Sequence, residues 1–126
     1  MLREIPAVRQ IKGEPDRRWF SSIEADLLVW HVWDTSNIIT GFQFTYDKSR
    51  AEKVVTWQQT VDGLQHMTVD DGEQRPGKPK STPILVTSVS FDPWHVCGLF
   101  LRISADLPRE IRNRVCAALI SGQGNL

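Results

Sequence analysis

The sequence predicts an α+β fold: an antiparallel β-meander of four to six strands followed by two C-terminal helices packed on one sheet face. Three observations lead there. Residues 17–70 alternate runs of β-branched and aromatic residues with turn chemistry. Residues 92–121 carry apolar residues at helical spacing behind proline-marked starts. The two patterns do not interleave, so the chain reads as a strand layer and then a helix layer rather than as βαβ units. With 126 residues, 40% hydrophobic and 24% charged, it is one domain, able to bury a core without a disulfide or metal staple.

Residues 1–16 read as an extended lead, because Pro6 and Pro15 push the residues before them out of helical conformations. Arg17-Arg18-Trp19-Phe20 is a first strand candidate. The β-rich runs 26–33 and 38–46 flank the turn residues Asp34-Thr35-Ser36-Asn37. That turn sets His31 against Thr40, Val29 against Phe42 and Leu27 against Phe44, and gathers Leu27, Val29, Trp33, Ile38, Phe42 and Phe44 on a core face. Leu28, Trp30, Val32, Ile39 and Gln43 fall on the other face, with Trp30 laid over Gly41.

Asp62-Gly63 is a two-residue hairpin signal, pairing Val61 with Leu64, Gln59 with His66, Trp57 with Thr68 and Val55 with Asp70. Residues 71–83 are a polar Pro- and Gly-bearing loop, and 84–89 a short strand. Asp92-Pro93 starts a helix whose stripe is Val96, Leu99, Phe100 and Ile103. Asp106 caps a second helix, with Ile111, Val115, Ala118 and Leu119 inward, Arg109, Arg112 and Arg114 on the wet side, and Gly122 as its stop.

Lysine plus arginine and aspartate plus glutamate are equal at 15 each, and no block of like charge forms an arm, so nucleic acid is a disfavoured partner. No apolar run has the length of a signal peptide or a membrane span, and Cys97 and Cys116 read as reduced, buried thiols. We therefore expect a cytoplasmic protein with no membrane contact.

Candidate chemistry is sparse. His66, Asp70, Asp71 and Glu73 are of metal-ligating type, but on a strand His66 and Asp70 lie about 13 Å apart, so no metal is expected. His31 reads as a hydrogen-bonded core histidine, His95 as a surface residue, and both cysteines as packing residues rather than activated thiolates. Gly72, Arg75, Gly77, Lys78 and Lys80 lack the helix start that a phosphate cradle needs, and read as a connector. No cofactor is implied.

What remains is a polar–aromatic set: Arg17, Arg18, Trp19, Trp30, Gln43, Tyr46 and Lys48. Arginine beside tryptophan can stack, clamp a carboxylate or anchor a partner. The competing expectation is that residues 1–16 fold across this face and close it, the two arginines pairing with Glu14, Asp16 or Glu24.

The segments Val8 to Pro15, Arg17-Arg18-Trp19-Phe20, Gly41-Phe42-Gln43, Tyr46-Asp47-Lys48 and Asp70-Asp71-Gly72-Glu73 together resemble a family of small proteobacterial proteins. The resemblance implies a bacterial, stand-alone cytoplasmic domain, and carries over no activity or catalytic residue. The expected function is a small binding or interaction module for a protein or small ligand, self-associating as a homodimer in one version. The alternatives are an enzyme whose site is assembled from distant residues and, third, a nucleic-acid-binding domain.

Overall fold

Period-two alternation commits the first part of the chain to strands, and the computed structural model shows where each one pairs. It describes residues 1–6, 8–32, 38–48, 51–60, 64–70, 84–88 and 92–121. Trp33, the Asp34–Asn37 turn, Val61, Asp62-Gly63, the loop 71–83 with Asp71 and Glu73, and Gly122 lie outside those residues.

The strands are β1 (Arg3–Ile5), β2 (Asp16–Ser21), β3 (Ala25–Val32), β4 (Ile38–Tyr46), β5 (Lys53–Gln58), β6 (Gln65–Asp70) and β7 (Ile84–Ser88), followed by α1 (Pro93–Ile103) and α2 (Arg109–Ser121). They form one antiparallel meander in sequence order, β1 to β7. The α+β class and the order of layers are as expected. The strand count is higher, seven against four to six, because the lead itself contributes an edge strand, Arg3–Ile5 on Ser21–Trp19.

One sheet face is buried under the helices. Across it run Phe20, Leu27, Phe44, Val55 and His66 as one row and Arg18, Val29, Phe42 and Trp57 as the next. Phe100 of α1 meets Phe44 edge-on at 5.4 Å between centroids, and Phe44 stacks on Tyr46, which stacks on His66. The helix stripes are as predicted: Val96, Phe100 and Ile103 from α1 and Ile111, Val115, Ala118 and Leu119 from α2 are all buried. Leu2 joins them, its backbone N–H donating to the Ile103 carbonyl at 2.8 Å, so the first residues close the end of α1. Asp92 caps α1, accepting from the His95 N–H at 3.2 Å.

Several details depart from the sequence reading. The β3–β4 register holds from Leu27↔Phe44 to Trp30↔Gly41 and then slips by one, pairing His31 with Ile39. Thr40 is the extra residue of a bulge, anchored by its hydroxyl donating to the Trp30 carbonyl at 3.3 Å. A one-residue slip swaps faces. Ile38, expected in the core, is 43% exposed, and Ile39, expected outside, packs against the core.

The β5–β6 register is shifted by four residues from the predicted one, with Val55 opposite His66 and Lys53 opposite Thr68. An even shift keeps every side chain on its face. In this register the His66 Nε2 meets the Tyr46 hydroxyl inside the core. In α2 the Arg112 N–H bonds the Pro108 carbonyl, so the first turn closes there and not at Asp106. Arg114, expected on the wet side, lies with its guanidinium 4.6 Å from the Trp57 ring centroid. Arg112 donates to the Ser104 hydroxyl at 3.3 Å.

Cys97 is buried and Cys116 half-buried, and the two free thiols are neighbours across the helix pair. Burial, with Cys97 alongside, pushes the Cys116 thiol up from 9.0 to about 12, and burial likewise raises the Tyr46 phenol from 10.0 to about 12. Both groups are therefore neutral in the folded chain where they would ionise in the unfolded one. Their contribution to stability is complete below pH 9, erodes as pH rises past 9 for Cys116 and past 10 for Tyr46, and is spent by about 12. Urea unfolding across this range should show a decline that begins near pH 9 from Cys116 alone and steepens above 10 as Tyr46 joins it; Cys116→Ala should remove the part below 10, and Tyr46→Phe should remove the steepening. Identical slopes in all three proteins would contradict this.

Candidate functional site

Among the described residues the helices leave the opposite sheet face without a helical cover, and its rows hold most of the expected recognition residues. Arg17, Trp30, Gly41 and Gln58 stand side by side in one row across β2 to β5, and Trp19, Leu28, Gln43 and Thr56 in the next. Four of the seven expected site residues, Arg17, Trp19, Trp30 and Gln43, are thus neighbours on one surface. The other three are elsewhere. Arg18 and Tyr46 project to the helix-covered face, as alternation along β2 and β4 requires. Lys48, just past β4, donates to the Asp26 carboxylate and the Ser22 carbonyl, both at 3.0 Å, and serves as a clamp on the β2–β3 turn.

The arginines do not pair with Glu14, Asp16 or Glu24. Arg18 makes a two-pronged ion pair with Glu4 of β1, Nε to Oε2 and Nη2 to Oε1 both at 2.8 Å. That bond to Arg18 holds the Glu4 carboxyl below its ordinary value and raises the guanidinium further. Arg17 donates to the Arg9 carbonyl. The Gln10 side chain then behaves like one more strand residue, accepting from the Arg17 N–H at 2.8 Å and donating to the Arg17 carbonyl at 2.9 Å.

These bonds hold Arg9 and Gln10 beside the start of β2, the stretch that its pairing with β1 does not reach. A tight turn follows, with the Glu14 N–H on the Ile11 carbonyl at 3.1 Å and Gly13 at φ +87°, the left-handed region that a side chain disfavours. The turn delivers Glu14 and Pro15 to the Trp30 end of the open face. The lead neither seals this face nor leaves it bare: it walls one end.

The result is a cavity of about 430 Å³ lined by Glu14, Pro15, Trp30, Thr40, Gln58, Gln59 and Thr60. Its floor is built by contact between backbones. At Gly41 a Cβ would sit 2.8 Å from the Trp57 carbonyl oxygen and 3.1 Å from Trp30 Cε3, so the indole covers the glycine as expected. The bulge at Thr40 and the Gln59 N–H bonded to the Thr40 carbonyl at 2.8 Å turn the β4–β5 end toward the indole. Sequence reasoning found Trp30 and missed the other six residues, which come from the lead, the bulge and the exit of β5. The positive-φ Gly13 before Glu14-Pro15 was the one local sign of a turn there.

Glu14 is the one titratable group among the described lining residues. The histidines and cysteines are elsewhere: His31 and His66 in the core, His95 exposed in the first turn of α1, and the thiols between the helices. Among the described residues no three His, Cys, Asp or Glu side chains converge as metal ligands would. No helix of the described residues is long and apolar enough to cross a membrane. Trp94, in the first turn of α1, is 72% exposed and is not part of the core. Comparison with protein families, curated proteins and solved structures finds no match to this chain.

Two glycines carry the geometry. Gly41→Ala should cost about 1–3 kcal/mol in denaturant unfolding, because the backbone oxygen it meets cannot step aside. Gly13→Ala, strained only by its φ, should cost about 1 kcal/mol. A Gly41→Ala protein as stable as the parent would mean the indole and β5 are not held as described.

Proposed function

We propose that this chain is a small-ligand-binding module whose site is the cavity beside Trp30 on the helix-free sheet face. The observation that supports it best is the composition of that cavity. One aromatic ring is held rigidly against backbone, two side-chain amides and two hydroxyls surround it, and a carboxylate stands at the rim. Small-ligand sites are commonly concave, about 300–1,000 Å³, with an aromatic surface and a few converging polar groups. An enzymatic reading has less support, since the one described titratable lining group has no second titratable group beside it in the lining set. The charge balance of 15 against 15 speaks against nucleic acid. We place the module in the cytoplasm of a bacterium. The two free thiols, close to each other and unbridged, suit a reducing compartment.

A second reading has its own observation. Trp19 is 39% exposed on the same sheet face, beside half-buried Leu28 and Gln43, and such a ring can anchor a second copy of the chain.

Fragment screening by ¹⁵N–¹H correlation spectroscopy on the full chain tests the first reading. Binders should move the Trp30 indole N–H together with the Gly41 and Gln59 amides. Fragments that cluster elsewhere, with that set unmoved, would refute it. Light scattering after size exclusion tests the second: a dimer that becomes a monomer in Trp19→Glu supports it, and a monomer at all concentrations removes it.

A further inference from the structure

The groups around Trp30 share a chemical character that narrows the ligand. Gln58 and Gln59 each offer a donor and an acceptor, Thr60 offers a hydroxyl that does both, and the Thr40 hydroxyl, whose O–H is directed at the Trp30 carbonyl, offers an acceptor. None of these four groups imposes a charge, and three of them impose no fixed hydrogen-bond direction. The ligand that matches is one whose own groups are both donors and acceptors, which is to say a ligand bearing several hydroxyls. The indole supplies the complementary surface, a flat apolar ring able to lie against the C–H face of a saturated ring. Pro15 adds a second apolar wall.

Charge supports a neutral occupant. Opposite charges flank the indole: Glu14 in the lining, and outside it Arg17, next to Trp30 in the same cross-strand row with its guanidinium on the Arg9 carbonyl. A cation would gain from the ring and Glu14 but be repelled by Arg17; an anion meets the reverse. The site also lies in the middle of the sheet, on β3, β4 and the end of β5, where the backbone is already paired in the ladder. An extended peptide would look instead for an unpaired edge, at β1 or β7. The volume, about 430 Å³, has room for a sugar ring and part of a second, and exposed Gln58, Gln59 and Thr60 leave a wet mouth for the rest.

We propose that the Trp30 cavity binds a neutral saccharide unit, its ring against the indole and its hydroxyls shared among Gln58, Gln59, Thr40, Thr60 and Glu14. The inference rests on the reading of this cavity as the ligand site and adds the class of ligand.

The test is a titration of the full chain, followed by the Trp30 indole and the Gly41 and Gln59 amides. The probes are neutral hexoses, N-acetylhexosamines, pentoses and their β- and α-linked disaccharides, with choline and a proline-rich peptide as the contrasting set. At least one saccharide should shift these resonances saturably, with a Kd of about millimolar order. Gln59→Ala and Thr60→Ala, both on exposed positions, should each weaken that binding roughly tenfold, the loss of one well-placed hydrogen bond. Their spectra should otherwise be unchanged, which shows the fold intact. Trp30→Phe should keep weakened binding and Trp30→Ala abolish it.

If choline or the peptide moves the same resonances and no saccharide does, the ligand class is wrong and the cavity remains the site. If none of the probes moves them, the saccharide proposal falls. If the fragment screen also leaves them unmoved, the reading of the cavity falls with it. Saccharide binding unaffected by Gln59→Ala, Thr60→Ala and Trp30→Ala would place it elsewhere and overturn the proposal.

Discussion

The edge-to-face contact between Phe44 and Phe100 decides how the rest of this molecule is arranged. Phe44 sits on the central strand of a seven-strand meander, with three strands on each side. A sheet of that size with two helices has apolar cover for one face only. By docking α1 on β4, the Phe44–Phe100 contact selects which face that is. The rows through Phe44 and Phe42 become core, and the Tyr46–His66 stack and the Arg114–Trp57 contact extend the same layer sideways. Among the described residues the face carrying Trp30 and Gln43 is left with no helix, and the proposed recognition surface follows from that choice.

An uncovered sheet face must be polar enough to stay wet, and this one holds Gln43, Thr45, Thr56, Gln58 and Gln65 among its outward side chains. Its apolar members need individual protection. Trp30 has Gly41 beneath it and Pro15 beside the cavity it lines; Gln43 donates to the Thr56 hydroxyl at 3.3 Å. The bulge at Thr40 matters to this because a regular ladder would continue straight past Trp30 and leave a flat surface. The extra residue bends the β4 end, the Gln59 amide follows it, and a concavity forms where the twist is greatest. The same irregularity exposes Ile38 and buries Ile39, so one inserted residue shapes both the core edge and the site.

The parts of this arrangement that were legible in the sequence are those set by period and by local stereochemistry. Alternation in 26–30 and 41–46 placed Leu27, Val29, Phe42 and Phe44 correctly, and the Asp92-Pro93 cap and both helix stripes came from spacing alone. The failures share a cause, in that each was decided by a distant group. The β5–β6 pairing comes with a contact between Tyr46 and His66, twenty residues apart and outside any turn rule. The partner of Arg18 is Glu4, an isolated carboxylate in a lead read as lacking regular structure. Of the cavity, Trp30 over Gly41 was readable as a cross-strand pair, whereas Glu14 and Pro15 arrive through Gln10, whose side chain imitates a strand.

That dependence on the lead bears on what the site can do. β1 is three residues long, and its hold on the sheet comes from three sources: the Arg3–Ser21 to Ile5–Trp19 pairing, the Glu4–Arg18 ion pair, and Leu2 in the core at the end of α1. Residues 8–15 add the Gln10 and Arg17 bonds at the solvent-exposed edge of β2, where each is worth little on its own. One wall of the cavity is therefore attached by weak, exposed hydrogen bonds, and the floor by a tryptophan locked on a glycine between paired strands. A site built this way has a rigid platform and an adjustable rim. Rigid aromatic platforms keep the entropy cost of holding a ring low, while an adjustable rim tolerates differences among the hydroxyl patterns presented to it. The proposed site is thus suited to choosing a class of small polar ligand by its ring and to being permissive about its periphery.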